Sequence, residues 1–294
     1  MTRRLQRIGL TMGDPAGIGP EVTRAALAEL GGLAEWVIFG PEALYPNVEA
    51  RFEPCDGPRD AVERSAHALA SGAIDGVVTA PVSKSCFGGD FPGHTELYAA
   101  RAGVAAVVMM MAGPRLRTIP ATTHVALRDV PGRLTADLFV RTSRIVARAL
   151  RDHFGIAAPR VAIAALNPHA GDGGLFGDEE ARIFEPAVAL LREEGLDVSG
   201  PVSPDTVYYQ ALHGRYDAVV APYHDQALVP FKLIHFSDGV NVTLGLPRPR
   251  TSPDHGPAYD IAGRGLADPT SMIRAISMAV EMASRNAGKT IATY

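Results

Sequence analysis

Short apolar runs alternate along this chain with longer stretches whose apolar positions recur at helical spacing. Residues 7–13 (RIGLTMG), 36–40 (WVIFG), 75–81 (DGVVTAP), 160–168 (RVAIAALNP) and 216–221 (YDAVVA) are near-continuously hydrophobic. Strands buried on both faces of a parallel sheet have that character. Between them, residues 21–32, 61–72, 133–155 and 177–195 read as helices, with a short one near 205–214 and a last one over 269–288. The longest carries Leu134, Leu138, Val140, Ile145, Val146 and Leu150 on an uneven apolar face. Residues 105–113 and 117–124 follow one another with no helix between, which predicts an antiparallel hairpin, and 239–245 is a further strand. The alternation predicts an α/β fold with a largely parallel sheet.

In such sheets ligands bind where strands end, because loops converge there and helix N-termini point at the site. His124, His169 and His224 each close an apolar strand and so share one topological position. A single histidine there is more often a hydrogen-bonded cleft residue, but three neutral imidazoles suit a divalent metal and leave positions open for substrate. Asp172 and Asp225 stand beside the second and third, placed to orient an imidazole or to move a proton; a salt-bridged surface loop is the plainer alternative. A second group has a taste for anions. Lys84, His94 and Thr95 lie in a glycine-rich loop that opens a helix, and Lys232, Asn241 and Arg250 flank the strand at 239–245. No G-x-G-x-x-G follows any strand, so a Rossmann site has no support. The glycine-rich stretches 13–22 and 254–269 are, by composition, loops.

Composition narrows the class. The 294 residues are 47% hydrophobic and 20% charged, with a net charge of −4. That length suits a large core and two domains, and the charge argues against nucleic-acid or membrane-surface binding. Cys55 and Cys86 make neither a disulfide framework nor a cysteine-rich zinc module. The N-terminal stretch has no signal-peptide pattern, and a cytoplasmic protein is expected.

GDPAGIGPE, PGHTE, TTH-x-x-LRD, LNPHAGDGG, P-x-DT, YHDQ-x-L-x-P-x-K, GVNVTLGLP-x-x-RTS-x-DHG and DIAGRG-x-AD occur in that order over nearly the whole chain. Together they resemble the 4-hydroxythreonine-4-phosphate dehydrogenase (PdxA) family. The loop HGPAYDIAGRGLADP also looks like the adenosine-binding loop of isopropylmalate and isocitrate dehydrogenases. The resemblance implies a two-domain, non-Rossmann α/β/α fold of the isocitrate/isopropylmalate dehydrogenase-like type with a cleft between domains. The expected division is 1–113 plus 245–294, holding the termini and cofactor loop, and 114–244, holding the metal histidines and a dimer interface.

The resemblance also implies a metal-dependent, NAD- or NADP-dependent oxidation and decarboxylation of 4-phosphohydroxy-L-threonine by a homodimer. The divalent metal (Zn2+, or Mg2+, Co2+ or Mn2+) would be held by His124, His169 and His224, shared between subunits. His94, Thr95, Lys232, Asn241 and Arg250 would contact substrate, and Asp205 and Asp225 would line the site as candidate acid or base. The dinucleotide would lie along 255–263, touching His255, Gly256, Asp260, Ile261 and Ala262. Ala227 stands where the family has glycine, and the segment between WVIFG and DGVVTAP is short for the family. The same apparatus serves 4-phospho-D-threonate and 4-phospho-D-erythronate dehydrogenases, the nearest alternative. A metal-dependent hydrolase is the alternative from another class.

Overall fold

The computed structural model of the chain describes residues 4–83 and 93–287, which excludes Lys84 and Cys86. It divides into two compact units, Met1–Val107 with Ser237–Tyr294, and Val108–Phe236.

The first unit contains β1 (Arg7–Thr11), α1 (Gly19–Leu30), β2 (Glu35–Phe39), β3 (Arg51–Glu53), α2 (Pro58–Ser71), β4 (Gly76–Val78) and α3 (His94–Ala102). The intervening numbers belong to the second unit. The chain then returns with β10 (Val240–Leu244), β11 (Arg250–Pro253) and α8 (Thr270–Asn286). Its strands run in the order β3-β2-β1-β4-β11-β10, parallel throughout except for β10. Ile8, Leu10, Ile38, Val77 and Val78 are almost wholly buried, as the unbroken apolar runs require of a sheet covered on both faces.

The second unit contains β5 (Val108–Ala112), β6 (Arg117–Thr122), α4 (Ala136–Asp152), β7 (Arg160–Ala164), α5 (Glu185–Glu193), β8 (Asp197–Val202), α6 (Pro204–Leu212), β9 (Ala218–Tyr223) and α7 (His224–Ile234). Strand order is β5-β6-β9-β7-β8, with the expected antiparallel hairpin at β5 and β6 and parallel pairing elsewhere. Thr135 caps α4 by accepting from the Leu138 amide at 3.1 Å. Phe139, Val140, Ile145, Val146 and Leu150 form the buried face of this helix.

The division differs from the expected one at both crossings. Strand β5 stays with the second unit because Met111 and Ala112 pair with Thr118 and Arg117. Strand β10 stays with the first because Val240 to Thr243 pair with Pro253 to Arg250. In each case a local hairpin ties the strand to its neighbour in sequence, so the chain crosses between units before the hairpin at β5 and β6 and again before β10.

Both units lock adjacent parallel strands with the same ion pair. Arg7 opens β1 and gives its backbone N–H, Nε and Nη2 to the carboxylate of Asp75, just before β4, at 2.9, 3.2 and 2.9 Å. Arg160 opens β7 and does the same to Asp217, just before β9, at 2.7, 3.1 and 2.9 Å. Burial alone would raise the Asp75 carboxyl, but side-chain and backbone hydrogen bonds from Arg7 outweigh it and hold the group below its ordinary value. Asp217 is held down in the same way by Arg160. A carboxyl depressed on folding stabilises the fold above its unfolded pKa, and that contribution fades as pH falls through the folded value. Asp75→Asn is therefore expected to cost about 1–2 kcal/mol at neutral pH. The deficit should close as pH is taken below the ordinary value of 3.8. Denaturant titrations of parent and variant across that range would check it.

Candidate functional site

In the second unit, β6 and β9 are parallel neighbours in register, with Thr122 opposite Tyr223. The residues that follow their carboxyl ends are therefore neighbours as well. His124 and His224 lie with ring centroids 5.7 Å apart. Two imidazoles on one tetrahedral ion, with metal–nitrogen bonds of about 2.0–2.1 Å, place their centroids roughly 5–6 Å apart. The Nδ1 of His224 is 2.7 Å from Oδ1 of Asp225. With that nitrogen as the donor, Nε2 keeps its lone pair, the arrangement by which a carboxylate orients a metal-binding histidine. Asp225 is largely exposed and stands in the first turn of α7.

The chain after β9 continues directly as a helix that begins on His224 itself. The helix accommodates Pro230 in its interior and buries Ala227 and Phe231 completely. Lys232 lies on this helix, its Nζ 5.9 Å from the Phe236 ring centroid. Asp205 is in the first turn of α6 and accepts from Ser203 Oγ at 2.6 Å.

His169 sits differently. It lies in a left-handed run, with φ of 52°, 55°, 80°, 44° and 63° at His169, Ala170, Gly171, Asp172 and Gly173. His124 is also left-handed, with φ of 53°. Non-glycine residues in that region cost about 1–3 kcal/mol each and persist where surrounding structure imposes them, typically at functional sites. The ring of His169 is 6.5 Å from that of Phe176. Among the described residues, no three His, Cys, Asp or Glu side chains come close enough together to hold a metal ion. One chain therefore presents His124 and His224 as a pair, and the expected triad is not assembled within it.

The first unit carries a separate polar pocket around Arg250. This guanidinium, 3% exposed, donates to Oγ1 of Thr243 at 2.9 Å and to Oγ1 of Thr79, and lies 5.8 Å from the Tyr98 ring centroid. Its Nε finds no acceptor, and among the described residues no carboxylate is in direct contact with it, the Glu96 charge acting on it only through space. Burial lowers its pKa to about 10, so it remains a cation at neutral pH. A buried cation with no counterion in direct contact is costly unless an anion arrives to pair with it. His94, first residue of α3, is drawn well below its ordinary value by burial and then by the Arg250 charge, so its ring is neutral. Asn241 faces the same way as Thr243 along β10, and its buried Oδ1 has no partner among the described residues. Thr95 follows His94 in the helix opening.

The two glycine-rich stretches that composition left as loops are clasped to one another. Ile18 N–H donates to the Pro257 carbonyl at 2.8 Å. Tyr259 Oη donates to Asp14 Oδ2 at 2.6 Å, and Gly263 N–H to Glu21 Oε2 at 2.9 Å. Gly17 is required there, since a Cβ would stand 2.7 Å from the Pro257 carbonyl oxygen. At Gly256, Gly263 and Gly265 an added Cβ would meet nothing, so bare backbone faces open space along the segment that holds His255, Asp260, Ile261 and Ala262. Sequence reasoning missed Asp14, Glu21 and Tyr259, which no local signal separates from ordinary loop residues.

The family model described as "Pyridoxal phosphate biosynthetic protein PdxA" matches residues 58–279. A 4-hydroxythreonine-4-phosphate dehydrogenase of Geobacter metallireducens is 45% identical, over 94% of this chain and 95% of its own. Among solved structures, that of 4-hydroxythreonine-4-phosphate dehydrogenase from Klebsiella pneumoniae is 36% identical, covers 97% of this chain and 100% of its own, and superposes with a TM-score of 0.85. The isocitrate dehydrogenase of Methylococcus capsulatus, 17% identical with a TM-score of 0.55 over 96% of this chain and 88% of its own, shares the fold. The α/β fold is thus of the isocitrate dehydrogenase-like type. Matched over most of its length by both family model and relatives, this chain belongs to the PdxA family of pyridoxal phosphate biosynthetic proteins.

Proposed function

We propose that this protein is a metal-dependent dehydrogenase that oxidises and decarboxylates 4-phosphohydroxy-L-threonine with NAD or NADP. The products are 3-amino-2-oxopropyl phosphate, CO2 and the reduced nicotinamide, a step toward pyridoxal 5'-phosphate. The observation that carries the reading is the buried Arg250, which hydrogen-bonds only to neutral hydroxyls and has no carboxylate in ion-pair contact among the described residues, and so suits an anionic ligand. The relatives that bear the name 4-hydroxythreonine-4-phosphate dehydrogenase support the particular anion.

Arg250 would grip an anionic group of the substrate with its free Nε and a shared Nη, a bidentate hold that lysine could not give. Neutral His94, with Thr95 and the Asn241 amide, would fix orientation without adding charge. Lys232 would meet a second anionic group. His124 and His224 fit a divalent cation as a pair, and His169 of a second copy of the chain would complete the set. Bound there, the ion supplies Lewis-acid polarisation of the hydroxyl and then of the carbonyl. The substrate hydroxyl would give up its proton, with Asp205 or Asp225 as the candidate acceptor, and hydride would leave the same carbon for the nicotinamide. The carboxylate next departs as CO2, and the carbon it leaves takes up a proton to give 3-amino-2-oxopropyl phosphate. The clasped loop at 255–263 would cradle the dinucleotide.

A homodimer is part of this reading. Val229, Leu233 and Phe236 expose large apolar side chains on and just after α7, the helix that opens with His224, and Leu233 is 85% exposed. Apolar surface beside a half-built metal site suits a second copy. Among the described residues no helix is long and apolar enough to cross a membrane.

The test is formation of reduced nicotinamide by protein reconstituted with one divalent ion at a time, offered 4-phosphohydroxy-L-threonine and 4-phospho-D-threonate in parallel. Turnover that prefers the amino acid and disappears with chelator supports the proposal. Preference for phosphothreonate would move the same chemistry to sugar-acid catabolism. Release of inorganic phosphate without nicotinamide reduction would favour the hydrolase.

A further inference from the structure

We infer that Glu180 is a positioning residue for the metal site: its buried carboxylate clamps the base of the left-handed turn and so aims His169. The inference rests on the reading of His169 as a metal ligand. Glu180 is 4% exposed, an unusual place for a carboxylate with no cation hydrogen-bonded to it among the described residues. Its Oε1 accepts from the Leu166 amide at 3.0 Å and the Asn167 amide at 2.8 Å, and its Oε2 from Asn167 Nδ2 at 2.9 Å. Those donors lie directly before Pro168 and His169, where β7 has ended and the chain turns left-handed.

The same carboxylate also meets the far side of the turn. A Cβ on Gly171, where φ is 80°, would stand 2.9 Å from Glu180 Oε2. One side chain therefore braces the turn before and after His169. The helix bearing it is adapted to this task, since residues 180–184 form a wider π turn before α5 begins at Glu185. Single π turns are frequent at functional sites, where they redirect a side chain. Asn167 Nδ2 is shared with Glu179 Oε2 at 2.8 Å, which prevents the amide from flipping to suit another acceptor.

That last point makes Glu180→Gln informative. Glutamine keeps size and shape, but its amide nitrogen would face either two backbone N–H donors or the Asn167 amide. Asn167 cannot turn its own oxygen inward without presenting it to the Glu179 carboxylate. The clamp therefore loses one to two of its three bonds while the surrounding core is unchanged. Glu180→Asp serves as a second, charge-conserving variant whose carboxylate is withdrawn by one methylene.

The experiment uses the full-length protein, Co2+ as the probe ion, and three variants: Glu180→Gln, Glu180→Asp and His169→Ala. Co2+ affinity is read from visible absorption, and amide hydrogen exchange is followed at residues 166 and 167. Loss of an outer partner of a metal ligand weakens binding by about 10–100-fold. The expected result is a loss of that size in both Glu180 variants. It should come with faster exchange at 166 and 167, unchanged protection in β7 and β9, and a larger loss in His169→Ala. Unchanged exchange at 166 and 167 in a folded Glu180 variant would overturn the clamp whatever the metal does. Faster exchange with unaltered Co2+ affinity and spectrum would overturn the link to His169. Full Co2+ affinity in His169→Ala would overturn the underlying metal assignment, and the inference with it.

Discussion

Replacing Arg250 with methionine is expected to lower kcat/KM for the phosphorylated substrate by about 10²–10⁴-fold, as befits two charge-assisted hydrogen bonds to an anion at 1.5–3 kcal/mol each. The same change should leave the protein as stable as the parent, or more so. The two effects have opposite sign for one reason. Without a ligand, Arg250 is a buried charge held by two threonine hydroxyls and an aromatic ring, with its pKa pulled to about 10. Buried charges that lack a counterion cost stability, and an apolar side chain of similar length removes that cost. With the anion in place the balance reverses, because a preorganised guanidinium in a dry pocket needs no further ordering. Thr79 and Thr243 keep hydroxyls that can rotate to other partners, so their loss is minor beside the charge. Steady-state kinetics on substrate, together with denaturant unfolding of the ligand-free protein, would check both halves. Activity within a few-fold of the parent would remove Arg250 from substrate binding. A stability loss comparable to that of a core truncation would make it a structural residue.

His124→Gly is expected to abolish tight metal binding and reduce turnover by about 10³–10⁴-fold, the several kcal/mol that Lewis-acid stabilisation contributes. The metal-free variant should nevertheless be no less stable than the metal-free parent. At φ of 53°, His124 occupies backbone space that glycine adopts freely. Relief of that strain offsets the extra entropy of glycine in the unfolded chain. His124→Ala provides the contrast, since it removes the imidazole but retains a Cβ at positive φ. The glycine variant should therefore be the more stable of the two while both are equally inactive. Metal content after dialysis, turnover with added ion, and unfolding free energies of the two apo variants would test this. Retained metal affinity in both variants would show that the His124–His224 pair is not the site.

The residues most legible in the sequence were those whose role follows from chain position. Polar side chains at the carboxyl ends of apolar strands singled out His124, His169 and His224 before any geometry was available. The structure brings two of them together because β6 and β9 are adjacent and in register. Arg250 was legible only as one cation beside a strand, and an exposed lysine or arginine there would have looked the same. Its burial, and the absence of a paired carboxylate among the described residues, depend on Thr79, Tyr98 and Thr243, which lie far from it or across a hairpin.

Other features were invisible for stated reasons. From the sequence no element is predicted between the strands at 216–221 and 239–245, although a helix at 224–234 forms there and packs on β6 and β9. Asp14, Glu21 and Tyr259 are distinguished only by a clasp between segments more than two hundred residues apart. Glu180 reads in sequence as one more acid on a helix, although it is buried against the turn that carries His169.

The sequence by itself determined the α/β class, the parallel strands and the strand-end histidines. Those features are written in local hydrophobic periodicity and chain order, and periodicity survives without knowledge of partners. The tertiary structure alone decided which loops touch, which charges are buried and which two of the three histidines meet within one chain. Burial and pairing are set by contacts between residues distant in sequence, and hydrophobic periodicity does not report which distant segments those will be.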